Sequence, residues 1–229
     1  MIVHDHSDAG LHCLQIHLGG DRNFCYLFAD RDTGDGVAID PGFAPERLAE
    51  IAAERGIRLR YLLVTHGHGD HVGGAAALAA ATGAPVHAGP QERVAGARPV
   101  EEGEVFALGA QRLLAFHTPG HTAGHFCYLG ADRLFTGDLL FCGKVGGTGK
   151  AFPGSSAEAE WTSLRRLLTL PDETVVLPGH DYWGGEGERP FSTIGYERAH
   201  NPFLLCADLD AFNDLKANWV RYKREHGVR

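Results

Sequence analysis

The sequence has little positive charge, no long apolar run and no segment typical of a signal peptide. Its 229 residues include 21 Lys and Arg against 29 Asp and Glu, so the net charge is −8 with neutral histidine. An acidic balance without a basic run argues against a nucleic-acid partner. No apolar run is long enough to span a membrane, and the N-terminus lacks a basic region followed by an apolar stretch. We therefore expect a cytoplasmic protein with neither a nucleic-acid nor a membrane partner.

Cysteine motifs and a serine nucleophile motif are also missing. The five cysteines are odd in number and scattered, and they form no Cys-x-x-Cys pair. This usage predicts reduced thiols rather than a disulfide framework. No Gly-x-Ser-x-Gly motif is present, so the sequence does not suggest chemistry through a Ser or Cys nucleophile.

The sequence does have a dense group of metal-ligand side chains at residues 65–71, which read Thr-His-Gly-His-Gly-Asp-His. Imidazole and carboxylate are ligands that zinc and similar divalent metals prefer. The preceding apolar run, Tyr61 to Val64, reads as a short buried strand, so the group follows a strand end. The two glycines let the backbone fold back, so that His66, His68 and Asp70 can converge.

Three further donors follow strand-like segments and a glycine: His121 in Thr-Pro-Gly-His, Asp138 in Thr-Gly-Asp and His180 in Pro-Gly-His. A single histidine after such a turn is usually a surface or capping residue. The repetition changes this reading, because strand ends on one side of a sheet gather their loops into one site. Together with residues 65–71, these donors suffice for two adjacent metals that share a bridging carboxylate.

The overall pattern predicts an α/β fold with two packed sheets and helices outside. We expect one domain over residues 1–229, with residues 190–229 as a short C-terminal helical extension and a Gly-rich loop at 184–187. Apolar periodicity predicts four helices, at Pro45 to Arg55, Gly73 to Thr82, Ser156 to Leu168 and about Leu209 to Lys223.

These motifs resemble the metallo-β-lactamase superfamily in type and order: His-x-His-x-Asp-His, then TPGHT, TGD and PGHDY. The resemblance implies an αβ/βα four-layer sandwich with a metal site at one edge of the two sheets. It also implies that the first metal is held by His66, His68 and His121. By the same resemblance, the second metal is held by Asp70, His71 and His180, with Asp138 as the bridge.

Two divalent ions are therefore expected as cofactors, with zinc as the first choice and iron or a mixed pair as alternatives. Coordination lowers the pKa of bound water toward about 7, so that a metal-bound hydroxide can attack a carbonyl carbon. Asp70 and Asp138 are the residues expected to serve catalysis as well as metal binding.

Within that superfamily the chain is most similar to glyoxalase II, the hydroxyacylglutathione hydrolases. The resemblance lies in segments 136–141, 143–144, 179–182 and 192–203, and it implies that Lys144 and Tyr182 contact a glutathione thioester. The chain departs from glyoxalase II in a shorter C-terminal part, and the stretch 204–210 after Asn201-Pro-Phe carries no Arg/Lys pair. We therefore expect a small-molecule thioester, of glutathione or another thiol, as the substrate.

Three alternatives stay open. A mono-iron persulfide dioxygenase would use His66, His121 and Asp138, a two-His-one-carboxylate set with open positions for oxygen. An acyl-homoserine lactonase would use the same hydroxide chemistry. A non-catalytic, metal-stabilised interaction module would keep the ligands without turnover. The last helix, with Trp219 and Tyr222, could cover the site or form a homodimer contact.

Overall fold

The computed structural model describes residues 2–182 and 189–227, and the Gly-rich loop expected at 184–187 lies outside these ranges. Within them, two mixed β-sheets pack face to face, and helices cover both outer faces. A two-stranded ribbon lies beside the second sheet. None of the helices in the two described ranges is long and apolar enough to cross a bilayer.

The first sheet contains seven strands in the order of the sequence. The first four pair antiparallel, and the pairing becomes parallel from the fourth strand onward. The strands are β1 (Ile2–Asp5), β2 (Leu11–Gly19), β3 (Asn23–Asp30), β4 (Asp35–Ile39), β5 (Arg58–Leu63), β6 (Val86–Ala88) and β7 (Arg98–Pro99).

The second sheet contains six strands in the order β15-β14-β11-β10-β9-β8. Strands β8 to β11 pair antiparallel, and β11 pairs parallel with β14. The strands of this sheet and of the ribbon (β12, β13) are β8 (Val105–Leu108), β9 (Gln111–His117), β10 (Phe126–Gly130), β11 (Arg133–Gly137), β12 (Leu140–Phe141), β13 (Lys144–Val145), β14 (Val175–Pro178) and β15 (Ser192–Thr193).

Seven α-helices complete the described part of the chain. They are α1 (Pro45–Glu54), α2 (Gly69–Val72), α3 (Ala75–Thr82), α4 (Ala157–Leu167), α5 (Ile194–His200), α6 (Leu209–Ala217) and α7 (Trp219–His226). Helix α4 begins at Ala157, one residue after the predicted start, and Ser156 is its N-cap, whose side chain accepts a hydrogen bond from the amide of Ala159.

Apolar side chains form three layers, which is the arrangement of a four-layer sandwich. One layer lies between the first sheet and helices α1 and α3, and another between the second sheet and helices α4 and α6. The middle layer joins the two sheets, where Phe135 packs edge-on against Tyr26 and Phe28 at ring distances of 5.0 and 5.9 Å. The predicted α/β sandwich is confirmed.

The single helix predicted from Leu209 to Lys223 is wrong in one respect, because it is two helices that meet at Asn218. The Asn218 side chain donates to the carbonyl oxygen and to the carboxylate of Asp214, which are local partners that compete with helical geometry. The predictions also missed helix α5 and two strands. These strands, β1 and β8, are each the edge strand of a sheet.

Candidate metal centre

The predicted ligands meet at one edge of the sandwich because of strand direction. Strands β9, β11 and β14 all run the same way, since β9 and β11 are both antiparallel to β10 and β14 is parallel to β11. Their carboxyl ends deliver His121, Asp138 and His180 to a common edge of the second sheet. Strand β5 of the first sheet ends at the same edge of the sandwich and is followed by the run 65–71.

The run 65–71 divides into an irregular part and one helical turn. His66 and His68 lie in the loop, whereas Asp70 and His71 belong to the short helix α2. The loop that follows β4 packs closely against this helical turn. A Cβ at Gly42 would lie only 1.8 Å from the carbonyl oxygen of Asp70. Only glycine fits such a backbone approach, which explains the Asp-Pro-Gly turn before α1.

Three imidazoles form the first group of converging donors. His68 Nδ1 lies 3.0 Å from His66 Nε2 and 3.1 Å from His121 Nε2. His66 and His121 are buried, and His68 is partly exposed. The first metal group expected from the resemblance is therefore brought together in space.

The second group contains one carboxylate and two imidazoles. His180 Nε2 lies 3.3 Å from His71 Nε2 and 3.3 Å from Asp70 Oδ2. The side chains of His71 and His180 are 1% and 3% exposed, whereas that of Asp70 is 39% exposed. Asp70 thus marks the open side of the site.

The Asp138 carboxylate lies between the two groups. Its Oδ2 is 3.7 Å from His121 Nε2 and 4.0 Å from His66 Nε2, on the side of the first group. The same atom is 3.4 Å from His180 Nε2, and Oδ1 is 3.3 Å from His71 Nε2. This is the position that a bridging carboxylate needs.

Asp40 orients two of the ligands from behind. Its Oδ1 accepts from the Thr65 amide, and its Oδ2 accepts from Thr65 Oγ1 at 2.7 Å and from His71 Nδ1 at 2.9 Å. Because Thr65 Oγ1 donates to Asp40, it accepts from His66 Nδ1 at 3.1 Å. Both histidines then present Nε2 to the site. Asp40 thus has a structural role and a direct contact with a candidate ligand histidine.

Main-chain carbonyls orient two more ligands. His121 Nδ1 donates to the carbonyl of Gly147 at 2.8 Å, and His180 Nδ1 donates to the carbonyl of Asp21 at 2.8 Å. Both rings therefore also present Nε2. The side-chain amide of Asn23 donates to Asp70 Oδ2 at 2.9 Å and so fixes a partly exposed candidate ligand.

The pKa values of the site reflect a dense cluster of opposite charges. A hydrogen bond from His180 lowers the pKa of Asp70, although burial opposes this effect. Burial alone would lower the pKa of His180, but hydrogen bonds to Asp138 and Asp70 raise it to about 9. Burial likewise disfavours charge on His71, and Asp138 and Asp40 outweigh it and raise its pKa. A metal ion would therefore displace protons from these imidazoles on binding.

The donor geometry fits divalent metal ions. Zinc–nitrogen bonds of about 2.0–2.1 Å in a tetrahedral shell place neighbouring ligand atoms roughly 3.3 Å apart. The nitrogen separations of 3.0, 3.1 and 3.3 Å given above lie close to this spacing. In addition, Asp138 Oδ1 is buried and receives no hydrogen bond from any residue in the described ranges, as expected of a metal-facing oxygen.

Lys144 and Tyr182, the expected substrate contacts, lie together beside the second group. Lys144 Nζ is 4.4 Å from the centre of the Tyr182 ring, which stacks on His180 at 4.4 Å with an interplanar angle of 6°. The Tyr182 hydroxyl donates to Asp21 Oδ2 at 2.8 Å. The tyrosine hydroxyl is thus already engaged within the protein, and the Lys144 ammonium also lies 5.1 Å from the centre of the Phe141 ring.

The sequence did not reveal two partners of the candidate ligands, Asp21 in the β2–β3 turn and Asn23 at the start of β3. Asn23 and Asp21 have no spacing that relates them to the histidine run, and Asp21 acts on His180 through its main chain. The carbonyl of Gly147 is similarly invisible in a side-chain pattern. Only the fold brings these groups to the ligands.

A family model described as the metallo-β-lactamase superfamily matches residues 18–180 of the chain. The match begins in β2 and ends at the last candidate ligand, so it includes all seven candidate donors. The crystal structure of ETHE1 from Myxococcus xanthus has a TM-score of 0.79 and 32% identity, and the match covers 96% of this chain and 91% of that chain.

Two curated relatives are informative. A hydroxyacylglutathione hydrolase of Methylococcus capsulatus is 43% identical over 177 residues, which are 75% of this chain and 67% of that protein. The probable polyketide biosynthesis zinc-dependent hydrolase BaeB of Bacillus velezensis is 35% identical and covers 73% of this chain and 75% of that protein. Other hydroxyacylglutathione hydrolases match over 62 or 63% of their length, so the chain spans less than two thirds of those relatives. The resemblance to the superfamily and to glyoxalase II is confirmed.

Proposed function

We propose that this chain, which belongs to the metallo-β-lactamase superfamily, is a metal-dependent hydrolase that cleaves a thioester of glutathione or of a related thiol. The observation that carries the proposal is the position of Asp138. Its carboxylate lies within 4.0 Å of donors from both groups, as a carboxylate shared by two ions requires.

We propose that His66, His68 and His121 hold one ion, that Asp70, His71 and His180 hold the other, and that Asp138 bridges them. When bound, two divalent ions supply an acidified water for attack on the carbonyl carbon and polarise the carbonyl oxygen. The chain contributes rigidity, since the hydrogen bonds that the histidine rings donate to Asp40 and to the carbonyls of Gly147 and Asp21 fix the ring orientations before substrate arrives. Asp70 and Asp138 would serve catalysis as carboxylate ligands, Asp70 of one ion and Asp138 of both.

The open side of the site defines where the substrate enters. His68 and Asp70 are the more exposed ligands, and Lys144 lies beside the second group. We propose that the Lys144 ammonium pairs with a carboxylate of the thiol half of the substrate. Tyr182 then acts by supporting Lys144 and His180 through its ring rather than through its hydroxyl.

Zinc is the metal we propose, and a zinc-dependent relative supports it. A site of imidazoles and carboxylates without thiolate also accepts iron. We further propose that residues 1–229 act as one domain in a reducing compartment such as the cytoplasm. The five cysteines are all free thiols, which is typical of such compartments.

A mono-iron persulfide dioxygenase is the second candidate. His66 and His121 both lie within 4.0 Å of Asp138, and three such ligands form the two-His-one-carboxylate set of oxygen-activating iron. In that case Asp70, His71 and His180 would have no metal, although they converge as closely as the first group. This convergence favours the hydrolase.

Hydrolysis of a hydroxyacylglutathione tests the proposal, with the released thiol measured by a colorimetric thiol reagent. We expect turnover by the zinc-loaded protein, loss after chelation and recovery after zinc is restored. An oxygen ester of the same acyl group serves as a control for thioester preference. Failure of the zinc-loaded protein to release thiol from glutathione and other thiol esters alike would refute the proposal.

A further inference from the structure

A buried ion pair lies behind the metal centre, outside the ligand set. Lys216 of α6 pairs with Glu160 of α4, and their side chains are 12% and 0% exposed. The same Lys216 ammonium donates to the carbonyl of Gly146 at 2.7 Å. The pair therefore joins two helices and also holds a loop that leads to the metal centre.

The loop held by Lys216 carries the partner of a candidate ligand. The carbonyl of Gly147, one peptide further along, accepts the hydrogen bond of His121 Nδ1. Gly146 is also packed tightly, because a Cβ there would lie 2.9 Å from Glu160 Oε1 and 3.1 Å from His121 Cβ. Two consecutive glycines have wide conformational freedom, so their carbonyl directions must be fixed by outside contacts.

Helix α4 holds the other side of His121 in the same way. The amide of Ser156 donates to the carbonyl of Gly120, and Ser163 Oγ donates to the carbonyl of Pro119 at 2.7 Å. The backbone of α4 at Glu160 packs against Gly120. The ligand is thus held from one side by α4 and from the other by the loop that Lys216 anchors.

We propose that Lys216 is a positioning residue for the metal centre: it fixes the Gly146–Gly147 peptide so that the Gly147 carbonyl aims the His121 ring at the ion. This inference rests on the metal centre of the proposed function. It assigns a role in metal binding to the C-terminal helices, whereas the sequence had suggested a short extension whose last helix covers the site or forms a homodimer contact.

A buried ion pair is weak evidence of stabilisation by itself, because desolvation of both charges offsets their attraction. Burial raises the pKa of Glu160 to about 7 and lowers that of Lys216, which reflects this cost. Apolar side chains of similar volume would often serve stability as well. They could not replace the hydrogen bond to Gly146.

The test compares two variants that differ only at Lys216. Glu160→Gln removes the ion pair but leaves the lysine free to donate to Gly146. Glu160→Gln combined with Lys216→Met removes that donor without leaving an unpaired buried charge. Arg165→Met is a further control, because Arg165 donates to the carbonyls of Leu204 and Cys206 and so also joins α4 to the C-terminal segment.

Zinc binding to each apoprotein is measured by competition with a chromophoric chelator, and thermal unfolding verifies the fold. Removal of a group that orients a metal ligand typically weakens metal binding about 10–100-fold. We expect this loss in one of the two dissociation constants of the double variant, and constants like those of the wild type for Glu160→Gln and Arg165→Met. If the double variant does not fold, Glu160→Met with Lys216→Met takes its place and the same loss is expected.

Two results would overturn the inference. One is a folded double variant that binds both ions as tightly as Glu160→Gln does. The other is an equal loss in Arg165→Met, because it would mean that general loosening of the helices is the cause. A wild-type protein that binds no zinc would instead refute the proposed function, so the two failures are distinguishable.

Discussion

Asp40 and His71 are joined by a hydrogen bond of 2.9 Å between two fully buried side chains, one at the end of β4 and one on helix α2. The same Asp40 oxygen accepts from Thr65 Oγ1, which in turn accepts from His66. One carboxylate from the first sheet therefore orients one candidate ligand of each metal.

Asp40→Ala should lower the affinity of the protein for both ions and should also destabilise the fold. Loss of a partner that orients a ligand costs about 10–100-fold in metal affinity, and a buried donor left unsatisfied costs about 1–3 kcal/mol. Chelator competition and denaturant unfolding measure the two effects. Asp30→Ala is the matched control, since Asp30 is a buried turn aspartate whose partners are Thr33 and Ala110, away from the site. Equal zinc affinity in the two variants would contradict the role of Asp40.

Asp138→Ala should remove activity and metal together, because the proposed bridge contributes to both ions. We expect less than one ion per chain and thioesterase activity at background. Elemental analysis and the thiol-release assay measure the two quantities on one sample. Activity close to that of the wild type would mean that Asp138 does not bridge.

Lys144→Ala should raise KM for an anionic thioester and leave KM for a neutral ester nearly unchanged. The reason is that the ammonium is proposed to pair with a substrate carboxylate, and a charged hydrogen bond contributes about 1.5–3 kcal/mol. That energy corresponds to roughly a 10–150-fold rise in KM. Lys150→Ala, an exposed lysine in the following loop, is the control. The same change in KM for both substrates would exclude the pairing.

The KM of the wild-type enzyme for an anionic thioester should depend on pH through Lys144. Burial lowers the pKa of Lys144 to about 8, and neighbouring Lys223 and Arg22 contribute in the same direction against Asp138. The ammonium is present below that pKa and is lost as pH rises through it, so KM should rise at and above about pH 8. Lys144→Arg keeps its charge and should flatten the profile. Parallel profiles in the two enzymes would show that another group titrates.

The sequence was sufficient to identify the donors that converge and to predict most of the sandwich. Histidine and aspartate after strand ends identify donors, and parallel strand direction explains why His121, Asp138 and His180 meet. The groups that orient these histidines were not predictable, because Asp21 and Gly147 act through main-chain carbonyls that any residue possesses. The break at Asn218 was missed for a similar reason, since the apolar spacing continues across it and only local side-chain hydrogen bonds interrupt the helix.

Metal content tests the central claim most directly. It should be measured by inductively coupled plasma mass spectrometry, on protein purified without added metal and without a metal-affinity tag, alongside the thiol-release assay. The account predicts about two divalent ions per chain, mainly zinc, with activity that follows metal occupancy. A single iron per chain, with oxygen consumed on addition of glutathione persulfide and no thioester hydrolysis, would contradict it.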